Sequence, residues 1–369
     1  MESWFYKSQH NKVDSILLIE SLLGRKRKDI PYPTGLTYVA NALESAGYTP
    51  ICFDPNIESC PEKALKNILN KINPDVIGIS LKYIDTAYFL DTFSYYNEGF
   101  IKTLRIVRSE CPSSLIVVGG PGFSIFYEQI MKEQPEIDIG IVGYAENTFP
   151  YVLENLDNLE KIEGLIFRNR SGHIIFTGQA RENEVWDDLI YKHKFFDLSS
   201  YSWIGIQTKR GCCFRCLYCT YPYLSGRKVI IRKPENVMKE IEDILSRGAR
   251  KIYICDCVFN YPMSHSLEIL ERIRQYTRAK KIDLSLRAYL RCDYVNREFI
   301  RVAREAGMTF YEYSPDGATD FSLKKLQKDI TVEDILSCAD VTASFNDTSM
   351  VMWFILGIPD QTKKIYVIL

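Results

Sequence analysis

The chain is short of net charge, of long apolar runs and of any export leader, and each shortage removes a class of function. A formal net charge of −1 over 369 residues leaves no general electrostatic footprint for nucleic acid, whose phosphates call for a basic face. No stretch approaches the roughly 20 apolar residues that span a bilayer. Even Ile16-Leu17-Leu18-Ile19 is broken by Glu20. The start, Met1-Glu2-Ser3-Trp4, shows no charged-then-apolar leader, so the expected location is the cytoplasm, where thiols stay reduced. One basic run, Arg25-Lys26-Arg27-Lys28, stands between an expected strand and an expected helix; it reads either as a solvated loop or as a contact for a phosphate or carboxylate. Hydrophobic residues at 46% and charged residues at 25% are those of a globular protein of two ordinary domains.

Cysteine, in contrast, is plentiful. Of the eleven, Cys52, Cys60, Cys111, Cys255, Cys257, Cys292 and Cys338 are dispersed, whereas Cys212, Cys216 and Cys219 sit in the run Gly211-Cys212-Cys213-Phe214-Arg215-Cys216-Leu217-Tyr218-Cys219. Their x3 and x2 spacing points to an iron–sulfur cluster, and three thiolates leave one iron of a four-iron cluster open to a reactant. A zinc knot is the competing reading, but zinc units come in separated pairs and no second C-x2-C lies nearby. Cys213 falls outside the spacing and is not expected to bind iron.

Short apolar runs at 15–19, 49–53, 76–80, 115–119 and 137–142 alternate with amphipathic stretches at 36–46, 62–72 and 100–109, which predicts an open, doubly wound parallel sheet. Ligands on such sheets bind at the carboxyl ends of the strands. There the sequence places Ser80, then Gly119-Gly120-Pro121-Gly122, then Gly143-Tyr144-Ala145-Glu146. These glycines do not spell G-x-G-x-x-G and follow the fourth strand instead of the first, which argues against a dinucleotide. Turn glycines without a ligand are the plainer alternative.

A second alternation follows a hairpin at 164–178 and an aperiodic, aromatic and charged stretch at 179–202. Its strands are expected at 204–208, 252–255, 284–288, 309–314 and 350–356, with helices at 234–246, 266–276, 296–306 and 332–344. Five strand–helix repeats predict a partial barrel, with the cysteine run just past its first strand, at the face where barrels place their chemistry.

Tyr32-Pro33-Thr34-Gly35-Leu36, Asn73-Pro74-Asp75-Val76-Ile77-Gly78-Ile79-Ser80, Val117-Val118-Gly119-Gly120-Pro121-Gly122 and Gly143 to Glu146, ahead of the cysteine triple, together resemble the radical S-adenosylmethionine (SAM) enzymes that carry a cobalamin-binding domain. The resemblance covers nearly the whole chain. It implies a Rossmann-like cobalamin domain at 1–185, a linker at 186–202 and a radical SAM partial barrel at 203–369, which stops soon after the fifth strand and so is expected to lack the sixth.

The resemblance also implies three cofactors: a [4Fe-4S] cluster, SAM and cobalamin. For cobalamin it points to Ser80, Gly119, Gly120, Gly122, Gly143 and Glu146. None of His10, His173, His193 or His265 sits in the D-x-H-x-x-G pattern that supplies a lower cobalt ligand in methionine-synthase-like domains. The lower face is therefore expected without histidine, with Leu81-Lys82-Tyr83 as candidates by analogy. For SAM it points to Tyr218 beside the adenine, Asp256 near the ribose and amine, Arg287 or Arg291 toward the carboxylate, Asp316 where relatives carry glutamate in G-x-E-S, and Gly357 in a G-x-P.

The implied activity is methylation of an unactivated carbon or phosphorus centre by way of methylcobalamin and a 5′-deoxyadenosyl radical. Alternatives are a radical cyclase or rearranging enzyme, a methyl transfer without the radical, and a non-catalytic corrinoid or iron–sulfur carrier. A small-molecule or peptide substrate and an electron donor such as flavodoxin or ferredoxin are the expected partners. Tyr311 and Tyr313 alternate with Glu312 on the fourth barrel strand, a pattern that by itself reads as core packing.

Overall fold

The computed structural model describes residues 13–23, 30–82, 84, 96–169, 171–180 and 189–360. The basic run at 25–28, Tyr83 and His10 lie outside them. Two compact units result, Met1–Ser202 and Trp203–Leu369.

The first unit contains β1 (Ile16–Glu20), α1 (Thr34–Ser45), β2 (Pro50–Phe53), α2 (Pro61–Ile72), β3 (Val76–Ser80), α3 (Tyr96–Glu110), β4 (Leu115–Gly119), α4 (Pro121–Glu133), β5 (Ile139–Ile141), α5 (Thr148–Glu154), β6 (Leu165–Arg168) and β7 (Ile174–Phe176). Strand order is β2-β1-β3-β4-β5-β6-β7. The first five strands run parallel, as helical crossovers require, and the tight turn between β6 and β7 makes that pair antiparallel. Leu17, Ile77, Ile116 and Val118 pack with Leu65, Phe100, Leu104 and Phe123 on one face. Leu18, Val76, Leu115 and Val117 pack with Leu36, Leu43 and Val152 on the other, so the central strands are apolar without alternation. The order reverses between β1 and β3, which makes their carboxyl ends the switch point of the sheet.

The stretch expected as a linker is built into this unit wherever it is described. Tyr191 stacks on Tyr38 with centroids 3.8 Å apart, and Asn41 exchanges hydrogen bonds with the backbone of Lys192. Its mixture of charge and rings has no period. The rings bury while the polar groups find single partners, a pattern that periodicity does not register.

The second unit contains β8 (Ile204–Ile206), β9 (Lys209–Arg210), α6 (Tyr221–Ser225), β10 (Ile230–Ile231), α7 (Pro234–Ser246), β11 (Lys251–Ile254), α8 (Met263–Lys280), β12 (Ser285–Leu290), α9 (Arg297–Glu305), β13 (Phe310–Asp316), α10 (Asp320–Lys325), α11 (Val332–Ala343) and β14 (Ser349–Phe354). Five strands form a sheet in the order β14-β13-β12-β11-β8, all parallel. Sequential order with a helix in each connection is the strand order of a part-closed barrel. The ribbon β9–β10, antiparallel, brackets the cysteine run and was not anticipated; two-residue strands are too short to show a period.

Candidate functional site

The cysteine run leaves β9 through Gly211, at φ 79°, where a Cβ would collide with the Lys228 carbonyl. Only glycine fits there. Backbone bonds hold the loop at its first cysteine and again between the last two: Cys212 N–H to the Gly226 carbonyl at 3.1 Å and Leu217 N–H to the Leu326 carbonyl at 2.9 Å. A hydrogen bond from the Cys257 thiol, the Phe214 N–H and the cations Arg291 and Lys328 together push the Cys212 thiol down to about 6, against the effect of burial. It is thus set toward thiolate, the form that binds iron. Burial holds Cys219 above its ordinary value, opposed by the Tyr221 N–H.

Around this loop the fold gathers Tyr218, Asp316, Arg291 and Lys328. Tyr218 Oη and Lys328 Nζ both donate to Asp316 Oδ2, and Lys328 also donates to Tyr218 Oη at 3.0 Å. Asp316 (φ 64°), Gln327 (φ 53°) and Asp329 (φ 52°) all lie in the left-handed region. For residues with a Cβ that conformation costs energy and concentrates at functional sites; here it seats Lys328, 6% exposed, against the thiols. Lys328 escaped the sequence reading because Lys324, Lys325 and Lys328 look like one solvated charge run, and only the turn separates the buried member.

Arg291, at the end of β12 and 4% exposed, has its guanidinium 3.8 Å from the Phe214 ring centroid. It grips Asp293 through Nε at 2.8 Å and Nη2 at 3.0 Å, and Nη2 donates to the Lys328 carbonyl at 3.1 Å. Its Nη1 is buried with no hydrogen-bond partner among the described residues. Arg287, two turns of the pleat earlier, is elsewhere: its guanidinium lies 4.6 Å from the Trp203 ring and 4.5 Å from the Phe310 ring. Asp256 is also set apart. Its carboxylate takes Thr208 N at 2.8 Å, Thr208 Oγ1, and Lys209 Nζ at 3.0 Å, and both partners of the ion pair are fully buried. Gly357, at φ 83°, follows a segment in which the Ile355 N–H reaches the Asp316 carbonyl at 2.9 Å.

In the first unit the glycines divide into two kinds. Gly120 and Gly122 lie against Leu81, where a Cβ would come within 2.7 Å and 2.9 Å of its carbonyl oxygen, and the Gly122 N–H donates to that oxygen. They serve close packing. Gly119 has only ordinary contacts, and Gly143, at φ 95°, faces open space with its N–H on Ser124 Oγ at 2.9 Å. Glu146 is buried on the same loop. Ser80 turns to Glu20, donating to Oε1 at 3.3 Å, so the switch point holds a buried carboxyl that the sequence reading noted only as the end of an apolar run. His193 is occupied by Tyr32, with Nδ1 2.9 Å from the phenol oxygen, and His173 lies at the β6–β7 turn.

Burial pushes the Glu20 carboxyl up to about 8, opposed by Lys82 and the Ser80 hydroxyl and reinforced by Asp54. The unfolded chain ionises this group at its ordinary value while the folded chain still holds the proton, so stability falls as pH rises from about 4.5 to about 8. Glu20→Gln is therefore expected to raise the urea midpoint at pH 8 by the equivalent of several kcal/mol and to leave it nearly unchanged at pH 4.5. An equal effect at both pH values counts against the protonated-carboxyl account.

Comparison with known proteins matches the two units separately. The B12 binding domain family model covers residues 20–153, and the radical SAM superfamily model covers residues 206–367. The chain is a radical SAM protein with a B12-binding domain. It is 24% identical over 371 residues to an uncharacterised methyltransferase of Pyrococcus horikoshii, covering 96% of this chain and 76% of that one. It is 22% identical to the anaerobic magnesium-protoporphyrin IX monomethyl ester cyclase of Cereibacter sphaeroides, covering 90% of this chain and 54% of the cyclase. The structure of the radical SAM methyltransferase TsrM from Kitasatospora setae, with tryptophan substrate and a SAM analogue, superimposes with a TM-score of 0.85 at 20% identity over 95% of this chain and 69% of that one. The chain thus spans only part of each relative, little more than half of the cyclase.

The side chains of this B12-binding radical SAM protein fit the groups its family implies. Three thiols on one loop, two buried cations beside them and the orphaned Nη1 of Arg291 suit an anionic cluster with an anionic ligand next to it. Among the described residues no three ligating groups converge on one ion position, and a four-iron cluster asks instead for thiolates that each reach a different iron. In the first unit, a Cβ at Gly143 would meet nothing within 4 Å, so the backbone there is open to an approaching group. Among the described residues no helix is long and apolar enough to cross a membrane.

Proposed function

We propose that this protein is a cobalamin-dependent radical SAM methyltransferase acting on an unactivated carbon or phosphorus centre. The observation that carries the proposal is a three-thiol run faced by the buried cations Arg291 and Lys328, in a chain that also holds a B12-binding domain. When bound, the cluster and SAM supply a carbon-centred radical and cobalamin supplies a transferable methyl group. Cys212, Cys216 and Cys219 hold the cluster. Arg291 offers Nη1 to the SAM carboxylate, and Lys328 and Tyr218 hold the Asp316 carboxyl in place as an acceptor for hydroxyl or ammonium donors. The half-exposed Tyr218 ring takes the adenine face, and Gly357 lets backbone approach it.

Asp256 acts at one remove, fixing Thr208 and Lys209 where the chain enters the cysteine loop, and Arg287 belongs to the floor of the half barrel. In the first unit Ser80, Gly119, Gly143 and Glu146 meet cobalamin, with Gly120 and Gly122 flattening the loop behind them. The reductant is a low-potential flavodoxin or ferredoxin, the substrate a small molecule or peptide, and the setting a reducing cytoplasm.

The test is anaerobic turnover of the reconstituted full chain with SAM labelled in its methyl group, dithionite, and a fractionated small-molecule extract. Labelled product with equal amounts of S-adenosylhomocysteine and 5′-deoxyadenosine is the expected result. Deoxyadenosine alone supports the second reading, a radical cyclase, which the likeness to the cyclase over 90% of this chain favours. S-adenosylhomocysteine without deoxyadenosine means methyl transfer without the radical, and bound cofactors with neither product mean a carrier.

A further inference from the structure

The side of the half barrel away from its helices carries a second, separate group of side chains. Along β13 the tyrosines Tyr311 and Tyr313 are fully buried on the helix side, where they reach the Ile300 carbonyl at 3.3 Å and Thr342 Oγ1 at 2.9 Å. Glu312 must then face the barrel interior. There Tyr253 Oη donates to its Oε2 at 3.0 Å, and Tyr253 meets Tyr289 edge to face with centroids 5.9 Å apart. Burial, together with Tyr289 and Glu312, pushes the Tyr253 phenol up, so it stays a donor at any working pH.

Arg287 does not neutralise Glu312 at contact. Its Nη1 stands 4.0 Å from Oε1, beyond hydrogen-bond length, while its guanidinium is held between the rings of Trp203 and Phe310. Among the described residues Tyr253 alone donates to Glu312. A carboxylate accepts several hydrogen bonds, and this one is 12% exposed beside the Tyr289 ring, itself 42% exposed. Tyr289 and Glu312 are paired across β12 and β13, with Tyr289 two residues before Arg291.

We propose that Glu312 and Tyr289 form the substrate subsite of this barrel, and that it takes a positively charged or N–H-bearing nitrogen group attached to a planar, largely apolar body. The nitrogen donates to Glu312, and the planar body lies along Tyr289. An anionic group is disfavoured there because the residue paired with Tyr289 across the strands is Glu312, whereas the Arg287 guanidinium is held between the Trp203 and Phe310 rings. This assignment rests on reading the second unit as the SAM-binding barrel.

The test is equilibrium dialysis of the reconstituted full chain against benzylamine, phenylacetate and, in parallel, SAM. Wild type is expected to bind benzylamine roughly tenfold or more tightly than phenylacetate, Glu312→Gln to lose that preference, and Glu312→Asp, which keeps the charge, to retain it. Tyr289→Ala is expected to weaken benzylamine about fivefold or more while sparing propylamine. Phenylacetate bound as well as benzylamine, neither probe bound, or a preference that survives Glu312→Gln overturns the subsite. Loss of SAM binding by the wild type overturns the barrel reading instead, whatever the amine result.

Discussion

Anaerobic reconstitution of Cys212→Ala/Cys216→Ala/Cys219→Ala is expected to leave iron and sulfide at background, against about four of each per chain in the wild type, and to abolish SAM cleavage. Cys213→Ala is expected to keep its full complement, since that exposed thiol lies outside the ligand spacing. The fold itself should survive. Gly211, the Cys212 N–H on Gly226 and the Leu217 N–H on Leu326 hold the loop through backbone alone, so far-UV circular dichroism should be unchanged. A triple variant that still takes up stoichiometric iron would refute the ligand assignment, and one that unfolds would show the thiols to be structural.

Asp256→Ala is expected to cost about 3–5 kcal/mol in the urea transition of the second unit, because it leaves the buried Lys209 ammonium without its counter-charge. Lys209 and Asp256 are 2% and 0% exposed as side chains, and Lys209 would keep only the Phe259 carbonyl at 2.7 Å. Removing both charges in Lys209→Met/Asp256→Leu should recover most of the loss, since a buried pair gives little net stability over well-packed apolar side chains. The non-additivity is the informative quantity. A single variant with an unchanged midpoint, or a double variant as unstable as the sum of the two singles, rules out the buried latch. The same single variant should release its cluster to a chelator faster, because Thr208 and Lys209 lead directly into the cysteine loop.

The two experiments probe residues that were read from sequence with unequal success. Cysteine spacing is a local quantity, carried by a few consecutive positions, and it named Cys212, Cys216 and Cys219 without help from the fold. Asp256 was also visible, at the end of a strand, but its partner was not. Lys209 is 47 positions away and faces it only because β8 and β11 pair in parallel. Arg287 and Arg291 illustrate the same limit. Both are arginines near the end of one strand, and strand register alone separates the one clamped between Trp203 and Phe310 from the one lying over Phe214 beside the thiols.

Helices α4 and α5 carry Pro121 and Pro150 in their first turns, where the missing proline N–H is not needed. The stretch near residue 191 reads as a linker in sequence because its rings have no period. Stacking of Tyr191 on Tyr38 and pairing of His193 with Tyr32 are contacts between distant segments, invisible to any window along the chain.

By itself, then, the sequence determined the two α/β units, the parallel order of their strands and the cofactor class, and singled out the cysteine triple for test, because apolar periodicity and short spacings are properties of neighbouring residues. Tertiary structure decided which charges are buried and whom they meet. Lys328 was brought to Asp316 and Tyr218 by left-handed backbone at Gln327 and Asp329, Glu20 became a protonated carboxyl through burial at the switch point, and Glu312 an interior carboxylate through strand alternation against a helix-covered face. Each of these depends on desolvation and on partners brought from far along the chain, and the energy of a charge is set by its surroundings in space.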